Sequence, residues 1–219
     1  MRESTGIVIA MLLVFSGFSV DNVSAQEISE FYFLAGANYN TPTGTFAENN
    51  GSIATLPTTG FSTAGVGYRL CGFIPLTPGI SVFAESYVPK FSVDVDAVRV
   101  RLGLPDIMEY DAEYKIRIAG FGLRFNPIEF MGTRPYLTAG MGRYRLEIIQ
   151  YISSDEFNMR FEVSNNVNFG AGILVPFGPF ALDAGARYHS VDLSYEGQPL
   201  GWQATWIDMS VMLAYRFGS

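Results

Sequence analysis

Apolar and polar residues alternate with a period of two along most of the chain beyond residue 25, and helical periodicity is absent there. The last stretch shows it most cleanly. Ile207, Met209, Val211, Leu213, Tyr215 and Phe217 form one apolar face, opposite Trp206, Asp208, Ser210, Met212, Ala214 and Arg216. Four other stretches repeat the pattern: Phe31 to Asn40, Thr63 to Leu70, Asn166 to Val175 and Phe180 to His189. In each, one face is apolar and the other carries Gly, Asn or charge, with Gly65 and Arg69, Asn168 and Gly170, or Asp183 and Arg187.

Three further strands are less regular. Ile80 to Val88 sets Ile80, Val82 and Ala84 against Glu85, and Tyr136 to Ile148 sets Leu137, Ala139 and Met141 against Thr138, Gly140 and Gly142. In Tyr110 to Phe125 the apolar positions begin as Tyr114, Ile116 and Ile118 and continue as Phe121, Leu123 and Phe125. If the apolar face always meets lipid, a bulge near Gly120 must change the phase, and Lys115 and Arg117 then point inward.

The links alternate in length. Cys71–Gly79, Asn126–Arg134 and Pro176–Pro179 are short and carry Gly or Pro; Thr41–Gly60, Pro89–Glu109, Tyr151–Glu162 and Val191–Thr205 are long. Four long links and three short ones give eight antiparallel strands. Phe91 to Asp96 and Val98 to Leu102 also alternate, so ten strands is the alternative, with extension of one hairpin favoured because Asp94, Asp96, Arg99 and Arg101 suit a bilayer wall poorly.

Composition decides what such strands build. The 219 residues have 16% charged side chains, 23 glycines and a mean hydropathy of +0.19. Past the N-terminus no run reaches the ~18–20 apolar residues of a spanning helix. Only a closed barrel then satisfies the backbone in lipid. The expectation is an all-β, eight-stranded antiparallel up-and-down transmembrane β-barrel over residues 26–219. Residues 1–25 read as a cleaved signal peptide, with Gly6 to Val20 as the apolar stretch and Val23-Ser24-Ala25 as the cleavage site; Glu3 leaves an uncleaved anchor as the alternative. The net charge of −7 gives no basic footprint for nucleic acid, and one Cys with one His cannot build a His/Cys metal site. No cofactor is expected.

Val211-Met-Leu-Ala-Tyr-Arg-Phe217 resembles the C-terminal assembly signal of outer-membrane proteins, with Val211, Leu213, Tyr215 and Phe217 as its recognition face and Gly218 and Ser219 following the terminal aromatic. Arg134-Pro-Tyr-Leu-Thr-Ala-Gly-Met-Gly142 and Leu182-Asp-Ala-Gly-Ala-Arg-Tyr-His189 resemble strands of the OmpA/OmpX-like small outer-membrane barrels. The resemblance implies a Gram-negative outer membrane, insertion by the barrel-assembly machinery, and outer-membrane lipids and lipopolysaccharide as neighbours. It names no surface partner.

The inward positions expected to carry charge are Arg69, Glu85, Lys115, Arg117, Asp183, Arg187, His189, Asp208 and Arg216. At eight strands a lumen is only wide enough for side chains, so mutual pairing as a structural network is favoured over a channel. Asp183 and His189 lie roughly 20 Å apart along one strand at ~3.4 Å per residue and cannot form a dyad. His189 with Asp208 and Ser210 gives a conceivable acid–base set, but Ser190 directly follows His189, unlike the His-x-Ser order of PagL-like lipid A deacylases. Asp94, Asp96, Asp106, Glu109, Asp111 and Glu113 make one outer link acidic without the spacing of a calcium loop. Phe31, Tyr39, Tyr68, Tyr188, Tyr215 and Trp206 read as interfacial anchors. The leading expectation is a non-enzymatic barrel with a structural or surface-interaction role through four outer loops. The alternatives are an OmpW-like passage for small or apolar solutes and a lipid A-modifying enzyme.

Overall fold

The computed structural model describes residues 31–47, 61–103, 110–152, 155–195 and 198–218. The signal peptide expected at 1–25, with Asp106 and Glu109, lies outside the described residues. Ten strands follow in chain order: β1 (Phe31–Thr43), β2 (Ser62–Thr63), β3 (Gly65–Thr77), β4 (Ile80–Val88), β5 (Lys90–Val93), β6 (Tyr110–Phe125), β7 (Arg134–Ile152), β8 (Asp155–Phe177), β9 (Phe180–Tyr195) and β10 (Gln198–Phe217). Every pairing is antiparallel, and the circuit β1-β3-β4-β6-β7-β8-β9-β10 closes where Phe31 to Thr43 pair with Phe217 to Thr205. Eight strands therefore make the wall. β5 continues β4 past Pro89 on the same side of β6, and β2 pairs only with β5. The extra alternation between Phe91 and Leu102 adds no wall strands.

The expected phase holds on most of the wall. Phe33, Tyr39, Val66, Tyr68, Leu123, Met141, Leu182, Val211 and Leu213 are exposed at 42 to 61%, while Leu34, Asn40, Arg69, Asp183 and Asp208 are buried. An apolar exterior around a closed hydrogen-bonded circuit is the inside-out arrangement that lipid requires. Small inner residues let the wall close: a Cβ on Gly36 would collide with the backbone of Val211 and Met212 across the β1–β10 seam. Short turns join the strands at one end, and Gly178 supplies the positive φ of +64° in the turn between β8 and β9. Among the described residues no helix is long and apolar enough to cross a membrane.

Four expectations fail locally. β6 pairs without a break on both sides, so there is no bulge at Gly120. Its inner face runs Ala112, Tyr114, Ile116 and Ile118, all buried, on to Arg124. Tyr114, Ile116 and Ile118 therefore point inward, and Lys115 and Arg117 point outward. The bulge lies instead on β8 between Val163 and Asn166, where one extra residue appears against both β7 and β9. Second, Val98 to Leu102 is not extended: Val95–Leu102 is a helix, α1, whose first turn is capped by Asp94 Oδ1 accepting from the Ala97 N–H at 3.0 Å and which ends on Gly103 with φ +64°. Third, the strand expected from Thr63 breaks at Ala64, and Thr63 is exposed rather than inward. Last, Trp206 is wholly buried inside the barrel and is no interfacial anchor.

β7, β8 and β10 have 19, 23 and 20 residues, about twice the ~9–11 that cross a bilayer. The wall continues beyond the lipid at its outer end. There water replaces lipid outside, so the polarity inverts: Asp111, Glu113, Lys115 and Arg117 face out, and Ala112, Tyr114, Ile116 and Ile118 face in. These inward residues join Phe46, Phe61, Phe91, Val98, Tyr144, Leu146, Ile148 and Trp206 in one apolar core. Tyr32, Leu34, Phe73, Phe83, Leu174, Met212 and neighbours form a second core nearer the short turns.

Candidate functional site: a charged strut across the lumen

Between the two cores the lumen is crossed by a chain of charges. Arg187 Nη1 on β9 bonds Glu85 Oε2 on β4 at 2.6 Å, and Arg69 Nε on β3 lies 3.4 Å from the same oxygen. Arg69 Nη2 donates to Asp208 Oδ2 on β10 at 2.7 Å, and His189 Nε2 on β9 meets that oxygen at 2.7 Å. Signs alternate along Arg187, Glu85, Arg69 and Asp208. β4 and β9 stand on opposite sides of the eight-strand circuit, so the chain spans the lumen as a strut. No member is more than 7% exposed. Charges taken out of water at this depth hold only when each finds a partner.

Aromatic and amide groups complete the layer. The Arg69 guanidinium sits 4.2 Å over the Tyr87 ring and donates through Nη1 to Ser210 Oγ at 3.3 Å. Tyr87 Oη donates to Asn40 Oδ1 at 2.5 Å and accepts from Trp206 Nε1 at 3.2 Å and Asn38 Nδ2 at 3.3 Å. Trp206 stacks on His189 with ring planes 3° apart and centroids at 4.7 Å. An ionised carboxylate only accepts, so His189 Nε2 donates to Asp208, and in the neutral ring Nδ1 accepts from Tyr144 Oη at 3.2 Å. Both imidazole nitrogens are thereby engaged. Among the described residues no hydrogen bond joins His189 to a serine, and Ser210 is held by Arg69 instead.

A second, smaller set lies toward the short turns. Arg124 Nη1 on β6 donates to Asp183 Oδ2 at 2.9 Å, and Tyr136 Oη donates to Asp183 Oδ1 at 2.7 Å. The Arg124 guanidinium stacks 3.6 Å from the Tyr136 ring and 4.6 Å from that of Phe73.

Of the nine charges expected inside, Arg69, Glu85, Arg187, His189 and Asp208 are brought together, and Asp183 joins Arg124. Arg216 is half-buried and eight positions along β10 from Asp208, roughly 27 Å at ~3.4 Å per residue, and stays apart from the strut. Lys115 and Arg117 are outside the lumen altogether. Asn40 lies on the inner face expected for the first strand, whereas Arg124, Tyr87, Tyr136 and Tyr144 are members the sequence reading did not single out. Carrying the period of two unbroken from Ile118 through Gly120 and Gly122 places Arg124 inside, so its signal was present. The same period puts Tyr87 on the face of Glu85, and Tyr136 and Tyr144 on the face of Thr138 and Gly142, so only residue type, which fits lipid interface and lumen equally well, kept them from being singled out. In the acidic outer link, Asp94 is spent on the α1 cap, and among the described residues no cluster could hold a metal ion.

No known family profile matches the chain, and no curated protein matches it by sequence. Solved structures do match. The attachment invasion locus protein Ail of Yersinia pestis superposes with a TM-score of 0.50 at 13% identity, covering 86% of this chain and 99% of Ail. Neisserial surface protein A gives 0.52 at 12% identity, with 86% and 97% covered. Outer membrane protein W of Escherichia coli, at 0.46 and 14% identity over 88% and 100%, scores too low to argue from. At these identities the likeness concerns the fold, which is that of the small eight-stranded outer-membrane β-barrels.

Proposed function

We propose that this barrel is a non-enzymatic outer-membrane protein with a closed lumen, whose role is structural or is exercised through its outer end. The observation that carries this reading is the strut from Arg187 through Glu85 and Arg69 to Asp208, made from opposite walls and roofed by the aromatic core around Trp206. An ion entering there would have to displace buried ion pairs in a low-dielectric interior, at several kcal/mol per ion. A hydrolase would need His189 free to reach a nucleophile, and its two nitrogens are engaged by Asp208 and Tyr144.

What remains accessible is the outer end, where β6 to β10, with 16 to 23 residues each, carry the wall beyond the lipid. The names of two fold neighbours, an attachment protein and a surface protein, accord with contact at that end. The outward row Val211, Leu213, Tyr215 and Phe217, 40 to 57% exposed on the closing strand, is the face we assign to the assembly machinery, after export by the N-terminal segment. Single-channel recording in planar bilayers tests the main reading: the expected result is no stable conductance step. A reproducible conductance from the purified, folded protein overturns it.

A further inference from the structure

The outward face of the wall is not equivalent all the way round. On β6 the lipid-facing row Leu123, Phe121 and Ala119 gives way at the next outward position to Arg117 and then Lys115. On β7 the row Leu137, Ala139 and Met141 gives way to Arg143 and Arg145, and on β8, past the bulge, Arg160 faces out opposite Glu147. The register places these side chains side by side: Arg117 pairs Arg145, Ala119 pairs Arg143, and Glu147 is flanked by Lys115 and Arg160.

Among the described residues, the same step outward on β9, β10, β1 and β3 meets no cation. β9 passes from Tyr188 to Ser190 and Asp192, β10 from Ile207 to Thr205 and Gln203, β1 from Tyr39 to Thr41, and β3 from Tyr68 to Val66. Among the described residues, the only other outward basic side chain beyond the lipid belt on the wall strands is Lys90 of β5. It adjoins Lys115 and lies 3.6 Å from Glu113. The apolar row is also shorter here. β6 offers outward apolar positions only from Ala119 to Phe125, whereas β10 offers them from Ile207 to Phe217. The arginines thus begin directly at the outer end of the apolar row, the edge at which headgroups meet a barrel wall.

Five cations share this sector in a chain whose net charge is −7. Glu147 is buried beneath them, 3.4 Å from Arg117 Nε and 3.9 Å from Arg160 Nε, while the side chains of Arg117 and Arg160 remain 55% and 67% exposed. Glu162 is the register partner of Arg145. Four of the five are arginines, the side chain whose planar fork matches a phosphate with two parallel hydrogen bonds.

We propose that this sector of β6, β7 and β8 is a binding site for the phosphates of an outer-leaflet glycolipid, with Arg117, Arg143, Arg145 and Arg160 holding the phosphorylated headgroup while its acyl chains lie along Phe121, Leu123, Met141 and Val167. Glu147 positions Arg117 and Arg160 from below. This rests on the outer-membrane reading above, but not on the lumen being closed.

The test uses the folded full-length barrel in phosphocholine nanodiscs doped with bis-phosphorylated lipid A or with its dephosphorylated counterpart. Co-purified lipid is counted by native mass spectrometry. The wild type is expected to retain the phosphorylated form at least tenfold over the dephosphorylated one. The combined variant R117Q/R143Q/R145Q/R160Q is expected to lose that preference while still showing the folded band on unheated gels. Single R145Q and R160Q variants, each expected to lose part of the preference, keep the test decisive if the combined variant does not fold. Equal retention of both lipids by the wild type overturns the proposal, as does an unchanged preference in the folded combined or single variants. Displacement of the lipid by millimolar inorganic phosphate overturns it too, since the site would then be one for a soluble anion. A barrel that conducts yet keeps the preference would sink the closed-lumen reading alone; failure to insert into bilayers would sink the membrane reading beneath both.

Discussion

Arg69 is the residue on which the interior charges converge. Its guanidinium touches Asp208 and Glu85, donates to Ser210 and covers Tyr87, with 1% of the residue exposed. Glu85 keeps Arg187 if Arg69 is removed, but Asp208 keeps only a histidine that is neutral in the pairing described. Arg69→Met therefore strands one carboxylate in the lumen, and the expected cost is about 3–5 kcal/mol in urea unfolding of the folded barrel. Arg69→Met with Asp208→Asn removes charge from both sides and leaves the amide oxygen to accept from His189, so it should recover more than half of that loss. A loss under about 1 kcal/mol for the single variant would mean that water already reaches Asp208.

Elements differ in how much of them could be read from the chain. β1, β9 and β10 were legible because one face meets lipid along most of their length, and the period of two reads directly. β6 was not, although its pattern is unbroken. Its outer partner changes from lipid to water between Ala119 and Arg117, and the apolar set changes face with it. Assuming a single outer solvent turned this change into a bulge, and reversed Lys115, Arg117, Tyr114, Ile116 and Ile118. The α1 segment misled for another reason: Val-Asp-Val-Asp and, after Ala97, Val-Arg-Val-Arg read as extended, but Asp94 and Gly103 are a cap and a stop that enclose one short helix. The inversion on β6 makes a test at two adjacent residues. Ile116→Ala, at a site 1% exposed in the outer core, should cost about 2–5 kcal/mol of stability. Lys115→Ala on the outer face should stay within about 0.5 kcal/mol. Were the original phase right, the lysine would be the costly one.

At the scale of the whole molecule the barrel carries two solvents on its outside and two cores within. The strut lies where the interior is still surrounded by lipid, and the aromatic core lies where the wall has left the membrane. Trp206 joins them, stacked on His189 below and in edge contact with Phe91 and Tyr144 around it. Fold and compartment were legible because they depend on the average pattern of many positions. The strut was only half legible, because it depends on which inward charges share a level, and strand stagger sets that rather than sequence. Trp206→Ala separates the two closures. Truncating a fully buried indole should cost about 3–5 kcal/mol, and it opens space against the outer core. The pairs of Arg187, Glu85, Arg69 and Asp208 do not depend on the indole, so the variant should remain silent in planar bilayers despite its lowered unfolding midpoint. Current through Trp206→Ala would instead place the seal in the outer core, with the charged strut already wet enough to let ions pass.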